Sequence, residues 1–390
     1  MAESSDLTWS NWSGRETTTP TAFVRPASED DLADALRSTT GEVRAVGATH
    51  SHSAVAASSG LVVDLEDWVG VLETGDDWAR LRSGTRIHQL GAPLRAAGLA
   101  LHNQGDIDRQ SVAGACGTGT HGTGLGNRNF SSAVLGTRLM TADGELVETD
   151  ATTDPDLWQA TRLSLGAFGV ATELTLSLRD AYRLHERIWL QPVDEVVADV
   201  DRLMAATRHF EFFWFPGQER AICKSLDETE LAVDPMPDRP YERIGWSDRI
   251  ISSDRTELHT EMEYSVPAEA GPECFAAIQR LLVDRFPDVT WPLEYRHVAA
   301  DDVWLSPAKG RPTVTISVHR AHGLPDEPYY RAAEEIFLGF GGRPHWGKVH
   351  FCDGPMLREM HEDWDRWWAA RDRVDPAGRF VTSSLAALRT

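Results

Sequence analysis

Apolar positions along the chain fall into two periods, one near four and one of two, and breakers separate the segments that carry them. Leu32 and Leu36 follow Ser28-Glu29-Asp30-Asp31, a capping box that predicts a helix start after an extended lead broken by Pro20 and Pro26. Val43 to Val46 reads as a strand stopped at Gly47, and Leu61-Val62-Val63-Asp64-Leu65 as a second, buried one. Ile87, Leu90, Leu94 and Ala97 mark a helix that ends at Gly98, where a left-handed cap suits glycine. A hairpin is predicted from Leu139 to Thr149 about Asp143-Gly144, and strict alternation makes Val170 to Leu178 a strand. Further on come strands at Phe210 to Phe215, Leu293 to Val298 and Thr313 to Val318, and a helix at Glu273 to Arg285. The tail from Met356 to Trp368, with Trp364, Trp367 and Trp368, repeats at helical spacing and predicts one core-facing helix. The fold class is α+β.

Length changes this picture: 390 residues exceed what one core supports, since single cores stop growing beyond roughly 250–300 residues, so two domains are expected. With 41% apolar and 25% charged residues the chain is a folded one. Its 38 basic against 60 acidic side chains give a net charge of −22, which repels phosphate backbones and anionic lipid and excludes nucleic acid and membrane surfaces as partners. Cys116, Cys223, Cys274 and Cys352 are far apart with no CxxC pair, so no disulfide framework or zinc ribbon is expected. Free thiols, the lack of a basic and then apolar leader, and the lack of an 18-residue apolar run point to a cytoplasmic protein. His345, His350, Cys352 and His361 prompt a zinc reading, but their spacing fits no metal motif and no metal is expected.

The segment from Gln104 to Asn129 is the most informative. It holds seven glycines and is too long for a simple turn, and loops of that length inside a domain are usually functional. Gly117-Thr118-Gly119-Thr120-His121-Gly122 fits GxGxxG, with Asp143 about 20 residues on as a dinucleotide fingerprint requires. The context argues against a Rossmann unit, because Asp106-Ile107-Asp108-Arg109-Gln110 is no buried strand and Gly124, Gly126, Asn127 and Asn129 open no helix. The capacity of such a run to bring backbone N–H groups close to a pyrophosphate remains.

Three ordered motifs carry a resemblance: Val46-Gly47-Ala48-Thr49-His50-Ser51-His52, Ser111 to Gly124, and His345-Trp346-Gly347-Lys348. With Asp375-Pro376-Ala377-Gly378-Arg379-Phe380 near the end, the chain resembles the aldonolactone and alditol oxidases of the vanillyl-alcohol-oxidase flavoprotein superfamily. The likeness is strongest over 15–180 and 290–390. It implies a two-domain FAD-binding fold of the PCMH type: an FAD domain over 1–180, an α+β substrate (cap) domain over 181–345, and a segment over 346–390 that returns to the FAD domain.

The resemblance also assigns residues. His50 stands where the family's histidine carries the flavin covalently through its 8α-methyl group, and His52 is the competing candidate. FAD would be bound by Gly47, Ala48, Thr49, His50, Ser51 and His52, by Gly105 and Asp106, and by Ser111, Gly114, Ala115, Gly117, Thr118, Gly119, His121 and Gly122. Val170, His345 and Lys348 complete that set. Gly105 matches a position kept small in relatives that react with O2, whereas Asp106 replaces the serine of the polyol oxidases and resembles the bacterial sugar-lactone oxidases. A carboxylate there is a good acceptor for hydroxyl donors.

Glu294-Tyr295-Arg296 resembles the family's Glu-x-Arg, and strand geometry puts Glu294 and Arg296 on one face toward one ligand. Ser317 and His319 share a face too, with the family's histidine and hydroxyl positions exchanged, so that His319 and Lys348 both stand as candidate bases. The catalytic set is Lys348, His319, Arg296 and Glu294, and the substrate set adds Asp106 and Ser317. The implied enzyme is a monomer that passes a hydride from a C–OH carbon of a polyol or sugar lactone to flavin N5, with O2 reduced to H2O2. The alternatives are the same flavin site acting on a specialised metabolite or with another acceptor, and a non-catalytic binding module.

Overall fold

The computed structural model describes residues 8–234, 239–253 and 256–389. The first helix, Glu29–Ser38, starts where the capping box places it, with the Ser28 hydroxyl accepting from the Asp31 N–H. Behind it lies a parallel sheet of Ala22–Val24, Leu61–Asp64 and Val43–Val46, with the Leu61–Asp64 strand central. An antiparallel five-stranded sheet follows, in the order Leu146–Asp150, Val134–Met140, Val170–Ser177, Trp78–Arg82, Val71–Thr74. The hairpin about Asp143-Gly144 is its first pair, and Gly144 takes the positive φ of 73° that the turn demands.

The glycine loop differs from expectation by containing a helix, Val112–Thr118. Two internal glycines argue against helix by propensity, but the Ser111 hydroxyl caps the Gly114 N–H, Gly119 ends the helix at φ 76°, and Val112, Ala115 and Cys116 are buried.

Strands from Arg183 to Pro344 form one antiparallel sheet of eight. Its inner members run in the order Arg183–Pro192, Arg220–Glu228, His209–Trp214, Leu293–Val298, Thr313–Ala321, His259–Pro267. Period-2 alternation splits them cleanly. Phe210, Phe212, Tyr264, Tyr295, Ile316 and Val318 face a core built with Phe275, Ile278 and Leu282 of the helix Gly271–Arg285. Glu211, Glu261, Glu263, Glu294, Arg296, Ser317 and His319 alternate with them and are buried as well. A sheet with one polar face that is nevertheless buried has turned that face toward a site rather than toward water.

The tail packs back on the N-terminal part. Arg379 accepts from the Val43 N–H through its carbonyl and donates to the carbonyls of Leu36 and Ala142, while the Trp367 indole donates to those of Ala160 and Leu163. It forms two helices rather than the one expected, Gly354–Met360 and Trp364–Val374. The break falls at His361, whose backbone is extended (φ −119°, ψ 102°) and whose ring stacks on Trp346 at 5.5 Å. No helix among the described residues is long and apolar enough to cross a membrane.

Several histidines are buried as neutral rings. Burial holds His209 and His361 down to about 3 and His345 and His350 to about 4. The unfolded chain protonates these groups first, near 6.5, so their stabilisation is full above that pH and is lost as pH falls toward 4 and below. Each is worth on the order of 3 kcal/mol over that window. The urea midpoint should therefore collapse between pH 6.5 and 4; a midpoint at pH 4.5 equal to that at pH 7 would contradict these burials.

Candidate active site

A cleft of about 1650 Å³, counting its open mouth, runs between the glycine loops and the polar face of the large sheet. One wall is backbone: Gly47 to Ser51, Gly105, Ser111, Gly114, Gly117 and Thr118 line it. A Cβ on Gly47 would sit 2.2 Å from the Ser111 hydroxyl, so this close approach of two loops requires glycine. Thr49 and Leu165, both lining the cleft, hold positive φ of 59° and 49°, and the Trp12 N–H bonds the Thr49 carbonyl at 2.8 Å. Strained non-glycine backbone of this kind persists where the surroundings fix it, commonly at sites.

The expected cofactor residues divide in two. His50 lines the cleft with its ring stacked on Trp12 at 5.1 Å, and burial, then the nearby Lys348 and Arg86, holds it down to about 4, as a neutral imidazole. His121, His345 and Lys348 line it also. His52, Ala115, Gly119, Gly122 and Val170 do not reach it. His52 is turned toward Glu261, 3.7 Å from its carboxylate, and Gly119 is spent on the helix cap. Ala115 and Val170 are packed in the apolar cores, and Gly122 lies against Asn103 and the Gln104 carbonyl.

Arg44 was not expected at the site. It lines the cleft with Nε and Nη1 buried and without a hydrogen-bond partner among the described residues, its remaining nitrogen donating to the Leu165 carbonyl. Burial lowers its guanidinium to about 10, and an anionic, acceptor-rich group in the cleft would satisfy it. The glycine wall and this orphaned cation fit the diphosphate-bearing FAD that the sequence implies.

The opposite wall is ionic. Arg296 donates from Nε to Glu211 at 2.8 Å and from Nη2 to Asp106 at 2.8 Å and Glu294 at 2.7 Å. Lys224 lies 2.9 Å from the other Glu211 oxygen and 3.5 Å from the other Asp106 oxygen. Asp106, Lys224, Glu211 and Arg296 thus close a ring of alternating charge, and Glu294, bonded to Arg296 on its edge, lines the cleft.

A second group forms around Glu261, which lines the cleft and pairs with Lys348. Burial alone would raise the Glu261 carboxyl; Lys348 and the imidazoles of His319, His259 and His52 outweigh it and hold the group well below the carboxylate range. His319 sits behind, its Nε2 3.7 Å from Glu261 and its Nδ1 donating to the Pro292 carbonyl at 2.8 Å. It does not reach the cleft, and Ser317 does not either: its hydroxyl donates to Glu263 at 2.8 Å, a carboxylate that also takes the His121 Nε2 at 2.8 Å. Burial would lower His121, but Glu263 and the Gly122 carbonyl raise it above the usual imidazole value.

Clusters with ligand atoms within 4.8 Å of one another occur at His52, His259 and Glu261, at His121, Glu263 and His345, at Glu261, Glu294 and His319, and at Asp106, Glu211 and Glu294. Lys348, the His121 ring bonded to Glu263, and the Arg296–Lys224 pair already partner the carboxylates in these. The set His345, His350, Cys352 and His361 forms no such cluster among the described residues.

One signal in the sequence could have found Lys224. The chain has three lysines against thirty-five arginines, and two of the three, Lys224 and Lys348, stand at this site. Arginine is the default cation here, so a lysine marks a place where a compact ammonium is needed.

Solved structures share the fold: a solvent-stable cholesterol oxidase aligns with a TM-score of 0.85 over 99% of this chain and 98% of its own at 18% identity. The FAD binding domain family model matches residues 20–150. Fold and site together define an FAD-dependent oxidoreductase acting on CH–OH donors. The chain belongs to the D-arabinono-1,4-lactone oxidase family, whose model matches residues 174–252 and 240–388. An L-gulono-1,4-lactone dehydrogenase of Mycobacterium tuberculosis is 34% identical, covering 96% of this chain and 97% of its own. The alditol oxidase of a Streptomyces species is 29% identical (97% and 98%), and the L-gulonolactone oxidase of Scyliorhinus torazame 26% (96% and 96%).

Proposed function

We propose that the protein oxidises a C–OH carbon of a sugar lactone or polyol, with FAD held covalently by His50 and O2 as acceptor. The observation that carries this is the convergence of Asp106, Glu294, Arg296 and Lys348 on one wall of a cleft whose other wall is the glycine backbone around His50. FAD, when bound, would supply the hydride acceptor for the C–OH carbon, with O2 as the final acceptor and hydrogen peroxide as its product. Gly47 to Ser51, the cleft-facing residues Ser111, Gly114, Gly117 and Thr118 of the capped helix, and Arg44 would hold the cofactor, and the neutral His50 ring keeps a lone pair for bonding carbon.

Asp106 and Glu294 accept hydrogen bonds from substrate hydroxyls, and Arg296 fixes both acceptors. Lys348, fixed by its pairing with the Glu261 carboxylate, is the group placed to hold the oxygen of the reacting hydroxyl as charge develops there, with His319 behind as support. Asp106 in place of a serine favours lactones over open-chain polyols. Four free, buried cysteines suit a monomer working in the cytoplasm.

A dehydrogenase reading that spares O2 is favoured by the name of the Mycobacterium tuberculosis relative. Peroxide release decides between the two: stoichiometric H2O2 per lactone oxidised is expected, and turnover only with an artificial acceptor would select the dehydrogenase. Acid precipitation tests the linkage. Flavin should stay with the wild-type pellet and leave with the supernatant in His50→Ala; flavin released from both would refute attachment at His50.

A further inference from the structure

We propose that Lys224 is a positioning residue that sets substrate preference, by holding the Asp106 carboxylate as a rigid acceptor at the mouth of the substrate site. The inference rests on the reading of the cleft as a site for hydroxylated substrates, and it adds a residue outside the cleft wall. Lys224 belongs to the strand Arg220–Glu228 and lies directly opposite Glu211 in the pairing with His209–Trp214. It is buried, and no atom of it lines the cleft.

Its place in the ring explains what it does. Asp106 belongs to the Gly105 to Gln110 loop on the flavin side, whereas Lys224, Glu211 and Arg296 belong to the large sheet. Asp106 offers one oxygen to Arg296 at 2.8 Å and the other to Lys224 at 3.5 Å, so the two cations grip it from both sides. A carboxylate held at both oxygens cannot rotate, and its remaining lone pairs point where the two cations leave them. The Asp106 carbonyl is tied as well, accepting from the Ser253 N–H at 2.8 Å.

Charge alternation supports a functional rather than an incidental pair. Lys224 and Arg296 alternate with Asp106 and Glu211, and Glu294 joins them through Arg296 on the cleft wall. An arginine at 224 would bring a wide planar fork into a gap spanned by one nitrogen, and this chain uses arginine for nearly every other cation.

The test uses the FAD-loaded full chain, with L-gulono-1,4-lactone and D-sorbitol as probes. Lys224→Met should raise KM for the lactone about tenfold, with kcat falling less than threefold, and should narrow the lactone-over-sorbitol ratio of kcat/KM by about the same factor. Because Lys224→Met leaves Glu211 without its ammonium and can fail to fold, the balanced pair Lys224→Met/Glu211→Gln is the second variant. It restores charge neutrality and should recover the wild-type unfolding midpoint while KM stays raised. Calorimetric affinity for the lactone in the anaerobic photoreduced enzyme, which needs no turnover, should weaken in parallel. A folded double variant with wild-type KM and probe ratio would overturn the proposal. Wild-type enzyme that oxidises neither probe nor any related lactone or polyol would instead overturn the substrate reading on which it rests.

Discussion

Arg296→Met should lower the stability of the protein by about 3–5 kcal/mol and abolish measurable oxidation of any substrate. Arg296 is the hub of three carboxylates, Asp106, Glu211 and Glu294, all buried. Without it Asp106 and Glu211 keep Lys224, and Glu294 loses its bond to Arg296. The loss comes from leaving charge uncompensated away from water, a larger effect than the net worth of the ion pairs themselves. Arg296→Lys should rescue little, because one ammonium cannot reproduce hydrogen bonds given from Nε and Nη2 in divergent directions. Denaturant midpoints measure the first effect and lactone turnover the second. A Met variant within 1 kcal/mol of wild type would mean that the ring is not formed.

Glu261→Gln should reduce kcat by about 10²-fold, the usual scale for losing a positioned acid–base group, with less change in KM. Glu261 is the carboxylate that fixes Lys348, and three imidazoles surround it. An amide keeps the size and loses the charge. Lys348→Met should cost a similar factor, and the double variant little more than either single one, because the two act as a unit. Additive losses would show that Lys348 works without Glu261. Glu261→Asp, which retains the charge on a shorter arm, should recover part of the activity.

The sequence made the frame of this site readable and hid its second half. Helix starts at Ser28 and stops at Gly98 follow from local chemistry and stand in the structure. Strand periodicity put Glu294 and Arg296 on one face, and they meet at 2.7 Å. The strand His259–Pro267 was not singled out, because alternating His259, Glu261, Glu263 and Ser265 along a strand reads as an ordinary solvent face. Only the pairing of that strand with Thr313–Ala321 turns those carboxylates inward, opposite His319 and Ser317. The same layering moved His319 and Ser317 behind the cleft wall, a distinction of depth that no periodicity carries. Arg44 escaped notice for another reason: a basic residue in a short strand has no local mark, and its orphaned nitrogens appear only once the cleft is built.

The most direct test of the whole account is an anaerobic titration of the purified yellow protein with L-gulono-1,4-lactone and, in parallel, with a panel of related lactones and alditols. The flavin absorbance should bleach to completion with at least one of them, and admitting air should restore it with one equivalent of hydrogen peroxide per flavin. A protein that binds no flavin, or whose flavin stays oxidised with every hydroxylated substrate while Arg296 and Lys348 are intact, would contradict it.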